Sequence, residues 1–118
     1  MKKDIPNCIA LLQNADEQQL YQKLVGQINK DFVRANIPLS ISKELPHDAL
    51  IGLLKEKIYV LILEKFNEYL NLLYAIDIPE KAFKQIDGTD AVEVAEEVTF
   101  LVLQRELQKV EYKDKFTS

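Results

Sequence analysis

The chain has 118 residues, of which 47% are hydrophobic and 29% are charged, and its formal net charge is −4. This composition is too apolar for a disordered chain and too charged for a membrane protein, and the length suits a single domain with its own core. The acidic balance, with Arg34 and Arg105 as the only arginines, argues against nucleic-acid binding. Since Cys8 stands alone and no secretory or membrane-spanning stretch is recognisable, we expect a cytoplasmic protein.

The first long helix is predicted to begin near Asp16, a residue type that caps helices, and to run to about Arg34. Its apolar side chains recur at helical spacing and fall on one arc. Ahead of it, residues 1–13 form either a short helix begun by Pro6 or an extended arm, and the sequence leaves these alternatives open.

The second helix is predicted to run from about Pro46 to Ala75, near 45 Å at 1.5 Å per residue. Its middle, residues 58–63, reads Ile-Tyr-Val-Leu-Ile-Leu and has no polar break. A helix that is apolar all round must be covered on every side, because an uncovered circumference would aggregate. The sequence therefore predicts that this helix lies at the centre of the fold.

A short helix is predicted from about Pro79 to Ile86, and a last helix, capped by Thr89 or Asp90, to about Tyr112. Together these elements predict an all-α fold. We expect a small antiparallel helical bundle of three long helices and one short helix, with a long central second helix. The whole chain, 1–118, forms one domain in this interpretation, with 113–118 as a frayed tail.

The last helix has an unusually wide apolar surface. One face is built from small and β-branched residues, and a second carries Phe100, Leu103, Leu107 and Val110. One neighbouring helix cannot cover both faces. Either the first helix and the amino-terminal arm cover the second face, or it is the interface of a homodimer.

Catalytic and metal-binding patterns are weak in this sequence. His47 has no second histidine or cysteine nearby and is interpreted as a polar residue in the first turn of its helix, while Cys8 lacks a neighbouring base. The acidic pairs at 64 and 68 and at 93 and 97 each share a side with other polar residues, so both are interpreted as solvated surface. We therefore expect no catalytic residue, no metal and no cofactor, and we lean against an enzyme.

Basic charge on apolar helix faces is the more suggestive pattern. Lys55 and Arg105 both project onto apolar arcs, and in an antiparallel hairpin they would approach one end of the bundle. With Tyr59, they form a candidate site for an anionic ligand, in which Arg105 is a bidentate anchor. The alternative is that their stems lie on apolar surface while their charged ends reach water or an acidic partner.

The sequence therefore favours a protein-interaction or oligomeric scaffold module without catalytic activity. The expected partner is a second copy of the chain, as a homodimer, or another protein, and neither nucleic acid nor membrane. A small anionic-ligand binding or sensing module is the alternative.

Overall fold

The computed structural model describes residues 4–117, and all the regular structure in this range is helical. This confirms the predicted all-α class, but the range contains six helices where the sequence predicts four. They are α1 Asp4–Glu17, α2 Tyr21–Arg34, α3 His47–Glu64, α4 Phe66–Ile76, α5 Glu80–Lys84 and α6 Ala91–Thr117. Residues 1–3 and 118 of the predicted terminal segments lie outside the described residues.

The predicted first helix is two helices in the structure. The amino-terminal segment is helical as α1, which continues through Asp16, so that residue is not a cap. The chain leaves α1 at Gln19, whose φ of 61° is left-handed. The amide of Leu20 then closes the helix end by donating to the carbonyl of Ala15 at 2.8 Å. Neither glycine nor asparagine marks this position, so the sequence gives no signal for the break.

The predicted second helix is also divided, at Lys65, where φ is −142° and ψ is 63°. Lys65 ends one helix and begins the next: its amide donates to the Leu61 carbonyl at 2.9 Å, and its carbonyl accepts from the Tyr69 amide at 3.0 Å. The kink gives the two halves different neighbours. α3 packs on α1 and α6, whereas α4 packs on α2 and α6.

The central helix is α6 rather than the predicted second helix, because α6 contacts all five other described helices. It begins after Asp90, whose carboxylate accepts a hydrogen bond from the Glu93 amide at 2.9 Å, as an N-cap residue does. It runs to Thr117, beyond the predicted end at Tyr112, so the residues predicted as a frayed tail are helical as far as Thr117.

The apolar run at 58–63 is not covered on every side. Ile58 and Leu61 are buried, but Val60 and Leu63 are exposed. Because α3 lies at the side of α6 rather than at the centre, a strip of its circumference faces solvent. The exposed strip continues onto α4, and it defines the surface described next.

Candidate functional site

The two cations of the predicted anion site have different partners. The Lys55 ammonium lies 2.9 Å from the Glu96 carboxylate. The Arg105 guanidinium donates to both the main-chain carbonyl and the carboxylate of Asp77, each at 3.0 Å. Residues 96 and 105 stand about 13.5 Å apart along α6 at 1.5 Å per residue. The structure therefore does not bring Lys55 and Arg105 into one set of contacts, and Tyr59 is half-buried against the core.

The predicted interface residues on α6 are covered within the chain. Leu103, Leu107 and Val110 are buried in the core, and Phe100 is half-buried. Helix α1 lies along this face and shares a shallow cleft with it. A partner could reach little of this surface without displacing α1.

The exposed apolar surface lies instead on α4 and the end of α3. We call it the α4 stripe: Leu63, Phe66, Leu70 and Tyr74, with exposures of 56%, 53%, 37% and 86%. Phe66, Leu70 and Tyr74 are four residues apart, so they follow one side of the helix. The other exposed residues between 66 and 74 are Asn67 and Asn71. Glu68 is half-buried, and its carboxylate lies 3.8 Å from the Lys65 ammonium. The exposed positions on this side of α4 are therefore uncharged.

An apolar groove of about 370 Å³ opens beside the carboxyl end of this stripe. We call it the α4–α5 groove. Arg105 supports the rim of this groove, because its guanidinium donates to both the main-chain carbonyl and the carboxylate of Asp77. The residue predicted as a ligand anchor thus supports the wall of an apolar groove. The apolar lining of the groove consists of Leu70, Leu73, Tyr74, Ile78, Pro79 and Phe83.

A second exposed aromatic pair, Tyr112 and Phe116, has its ring centroids 4.8 Å apart near the end of α6. The three residues between them are Lys113, Asp114 and Lys115. Because charges are dense here, an apolar partner would have to desolvate them. This pair is a poorer docking surface than the α4 stripe.

Another cleft, of about 500 Å³, lies where α1, α2 and α3 meet. There His47 Nε2 is 2.6 Å from an Asp16 oxygen, and the ring of Tyr21 packs on the imidazole. The Tyr21 hydroxyl donates to the Leu45 carbonyl at 2.6 Å. A histidine–carboxylate pair can act as a general base, but serine, threonine and cysteine are absent from the residues lining the cleft. These contacts tie the first turn of α3, where His47 is predicted and found, to the α1–α2 connection.

Cys8 is also unsuited to catalysis. Its side chain is fully buried in the core. Burial, together with the charges of Asp4 and Glu96, raises the pKa of the Cys8 thiol to about 12. The reactive thiolate is therefore scarce at neutral pH.

A buried cluster of charge joins α2 to α6, and the sequence analysis did not identify it. It consists of Asp31 and Glu106, both fully buried, and Lys109. The Lys109 ammonium lies 2.5 Å from Asp31 and 3.4 Å from Glu106. Gln27 and Arg34 also donate to the Asp31 carboxylate. Asp31 therefore has several donors, while Lys109 can neutralise only one of the two carboxyl groups.

The proton of this cluster resides on Glu106. No described donor makes a well-formed hydrogen bond to either Glu106 oxygen, so an ionised Glu106 would be a poorly compensated buried charge. Burial, and then the hydrogen bond and charge of Asp31, raise the pKa of Glu106 to about 9. Burial alone would raise the pKa of Asp31 too, but hydrogen bonds with Glu106, Lys109 and Gln27 outweigh it and lower that pKa. A protonated Glu106 donates to an ionised Asp31.

The acidic pairs of the sequence have structural partners or stay at the surface. Glu93 accepts hydrogen bonds from the amide and the hydroxyl of Thr89, and Glu97 accepts one from the Asp87 amide. They hold the connection before α6 and are half-buried rather than fully solvated. Across 4–117, no group of three or more His, Cys, Asp or Glu residues is arranged to hold a metal.

No family model, curated protein or solved structure matches this chain. None of the helices in the described range has the length and apolarity to cross a membrane.

Proposed function

We propose that this protein is a protein-interaction or oligomeric scaffold module without catalytic activity, and that the α4 stripe and the α4–α5 groove form its binding surface. The observation that carries the proposal is the exposure of Leu63, Phe66, Leu70 and Tyr74 on one side. The one charged residue between Phe66 and Tyr74 is Glu68, which is half-buried and lies 3.8 Å from Lys65. Contiguous exposed apolar surface of this kind is typical of interaction sites.

The composition of the stripe supports the same function. The centres of protein interfaces are depleted of charge and enriched in aromatic residues, and aromatic anchors often dominate the binding energy. Phe66 and Tyr74 supply such anchors. The Phe66 ring packs on the ring of Tyr69 with the centroids 5.3 Å apart, so part of its mobility is already lost before a partner binds.

The partner in this proposal is a protein, either a second copy of the chain or another molecule. The net charge of −4 disfavours nucleic acid and the surfaces of acidic membranes. The proposal needs no cofactor, and a cytoplasmic location and an antiparallel arrangement of the long helices remain parts of it.

The anionic-ligand alternative has weaker support. A ligand at Arg105 would have to displace Asp77, and a ligand at Lys55 would have to displace Glu96, because each cation already forms an ion pair with that carboxylate. Since the two pairs lie at different levels of α6, the cations would also act singly rather than together.

Analytical ultracentrifugation over a range of concentrations up to tens of micromolar tests the proposal. The monomer mass is 13.6 kDa, and we expect the apparent mass to rise with concentration. Leu70→Ser should keep the protein at the monomer mass. The matched control is Val33→Ser on α2, a substitution at a residue that is 64% exposed, and it should behave as the unsubstituted chain. A monomer throughout, or equal effects of the two substitutions, would contradict self-association through the stripe.

A further inference from the structure

We infer that a separate site lies between the carboxyl ends of α2 and α4, and that it binds a small organic monocarboxylate through Arg34. The site is a cleft of about 380 Å³, which we call the α2–α4 cleft. The inference does not depend on the α4 stripe, and it places the anion at neither Lys55 nor Arg105. The residues lining the cleft are Arg34, Ala35, Asn36, Asn71, Tyr74 and Ala75.

The charge of its lining distinguishes this cleft from the other clefts of the fold. The cleft where α1, α2 and α3 meet contains Asp16, the α4–α5 groove contains Asp77, and the cleft between α1 and α6 contains Glu111. Among the described residues that line the α2–α4 cleft there is one cation, Arg34, and no acidic side chain. In a chain with a net charge of −4, this lining favours an anion.

The neighbouring buried cluster leaves the charge of Arg34 uncompensated. Arg34 donates to the Asp31 carboxylate at 3.3 Å, but the Lys109 ammonium lies closer to the same carboxylate, at 2.5 Å. Because Glu106 is protonated, the four groups together carry two positive charges and one negative charge. Their net charge is therefore +1, which a monocarboxylate neutralises and a phosphate dianion exceeds.

The hydrogen-bond donors of Arg34 are arranged for a carboxylate. Its contact with Asp31 uses Nη1 alone, so Nε and Nη2 make no hydrogen bond to the described part of the chain. These two nitrogens form the planar fork that binds a carboxylate through two parallel hydrogen bonds. Arg105 already uses the same two nitrogens on Asp77. The fork of Arg34 is free, and its side chain is 59% exposed.

The rest of the lining defines the remainder of the ligand. The side chains of Asn36 and Asn71 make no hydrogen bond within residues 4–117, so their amides can donate to the carboxylate oxygens. Ala35, Ala75 and the ring of Tyr74 add apolar surface for a hydrocarbon group. The volume lies near the lower limit, about 300 Å³, of sites that bind small molecules. Benzoate, with one carboxylate and one ring, has these properties and serves as the probe.

The two helix ends at this cleft oppose an anion, because the carboxyl end of a helix is the negative end of its dipole. Contacts within the chain reduce this effect. The amides of residues 35–37 and 77–78 donate back to carbonyls in the last turns of α2 and α4. Lys109 donates to the Ile76 carbonyl at 3.1 Å, and Arg34 itself lies in the last turn of α2. Cations therefore occupy both helix ends.

NMR titration with sodium benzoate at constant ionic strength tests the inference. Because Tyr74 borders both the cleft and the α4 stripe, the protein is kept dilute enough to be monomeric in the ultracentrifuge. The chain has two arginines, so each Nε–H signal reports on one of them, and Arg105 is an internal control because its fork is occupied. We expect a saturable shift of the Arg34 signal with a millimolar dissociation constant. The Arg105 signal and a titration with neutral benzamide should show no saturable shift.

The variant Asn36→Asp adds a negative charge to the cleft while preserving its shape. Asn36 has a left-handed φ of 63°, a conformation that aspartate also tolerates. We expect benzoate to bind about tenfold more weakly, because like charges at this distance repel. The matched control is Asn67→Asp, which adds the same charge at an exposed position of α4 outside the cleft, and it should change the affinity by no more than about twofold.

Several outcomes would overturn the inference. If benzoate gives no saturable shift at Arg34, or shifts both arginine signals equally, the cleft does not select a carboxylate. Comparable binding of benzamide would show that the charge of the ligand is not recognised. Equal weakening by Asn36→Asp and Asn67→Asp would show a general charge effect without a site. Inorganic phosphate that binds more tightly than benzoate at pH 7 would contradict the assignment to a monocarboxylate.

Discussion

The ammonium group of Lys109 lies 2.5 Å from the carboxylate of Asp31, which is fully buried between α2 and α6. The same ammonium donates to the Ile76 carbonyl at 3.1 Å, at the carboxyl end of α4. Cations stabilise the carboxyl end of a helix because its last carbonyls have no partners within the helix. One lysine therefore joins three helices, and it does so next to the helix that carries the α4 stripe.

We expect Lys109→Met to be strongly destabilising, because it leaves the buried Asp31 carboxylate with only the exposed Arg34 guanidinium, at 3.3 Å, as a cation. Loss of one partner from a buried pair typically costs about 3–5 kcal/mol. The matched control is Lys23→Met, which removes an exposed pair with Asp114 at 2.9 Å. Exposed pairs contribute at most about 1 kcal/mol. Urea unfolding measures both variants, and similar losses for the two would contradict the buried-pair interpretation.

The protonated Glu106 predicts that stability falls with rising pH. The pKa of this group is raised from 4.5 to about 9 in the folded chain, so between these values the unfolded chain has lost the proton and the folded chain keeps it. The contribution of Glu106 to the free energy of unfolding is complete below pH 4.5 and is lost as the pH rises to about 9. The expected slope is at most about 1.4 kcal/mol per pH unit. The lowered pKa of Asp31 has the opposite effect. The stability that its ionised carboxylate contributes is lost as the pH falls below 3.8.

The variant Glu106→Gln separates Glu106 from the other titrating groups. A glutamine amide can donate to Asp31 as the protonated acid does, but it cannot lose a proton. Urea unfolding from pH 5 to 9 should show a much smaller slope for the variant than for the unsubstituted chain. Parallel profiles for the two proteins would show that Glu106 does not hold the extra proton.

The left-handed conformation of Gln19 predicts a stabilising substitution. A residue with a Cβ is strained at a φ of 61°, and glycine is not. Because glycine also raises the entropy of the unfolded chain, Gln19→Gly should gain only about 0.5 kcal/mol. The control Gln13→Gly lies inside α1 and should lose about 1 kcal/mol. Thermal unfolding compares them, and a lower melting temperature for Gln19→Gly would show that strain at this turn is negligible.

Helical periodicity was enough to predict the fold class and most of the buried residues of α2. Residue types that cap helices narrowed the start of the last helix to Thr89 or Asp90, and the structure uses Asp90. It could not predict the breaks at Gln19 and Lys65, because neither position has a glycine or proline that would mark it. The break at Lys65 allows α3 to pack on α1 and α4 to pack on α2 while both contact α6, so its cause lies in tertiary packing that the sequence does not display.

The buried charge cluster and the α4 stripe differ in how far the sequence could predict them. Asp31 and Glu106 both fall among apolar positions of their helices. An acidic residue on an apolar arc indicates a buried charge, so the sequence does contain a signal for this cluster. The exposure of Leu63 and Phe66 had no such signal. An apolar residue looks the same in sequence whether another helix covers it or not, and only the kink at Lys65 leaves this side open.

The central claim is that the α4 stripe is the surface through which the protein associates, and amide NMR spectra recorded over a dilution series test self-association through it most directly. We expect concentration-dependent shifts or broadening at Phe66, Leu70, Asn71 and Tyr74 and along the groove, while Tyr112 at the other exposed aromatic pair stays unchanged. Spectra that do not depend on concentration, or changes confined to the end of α6, would contradict the account.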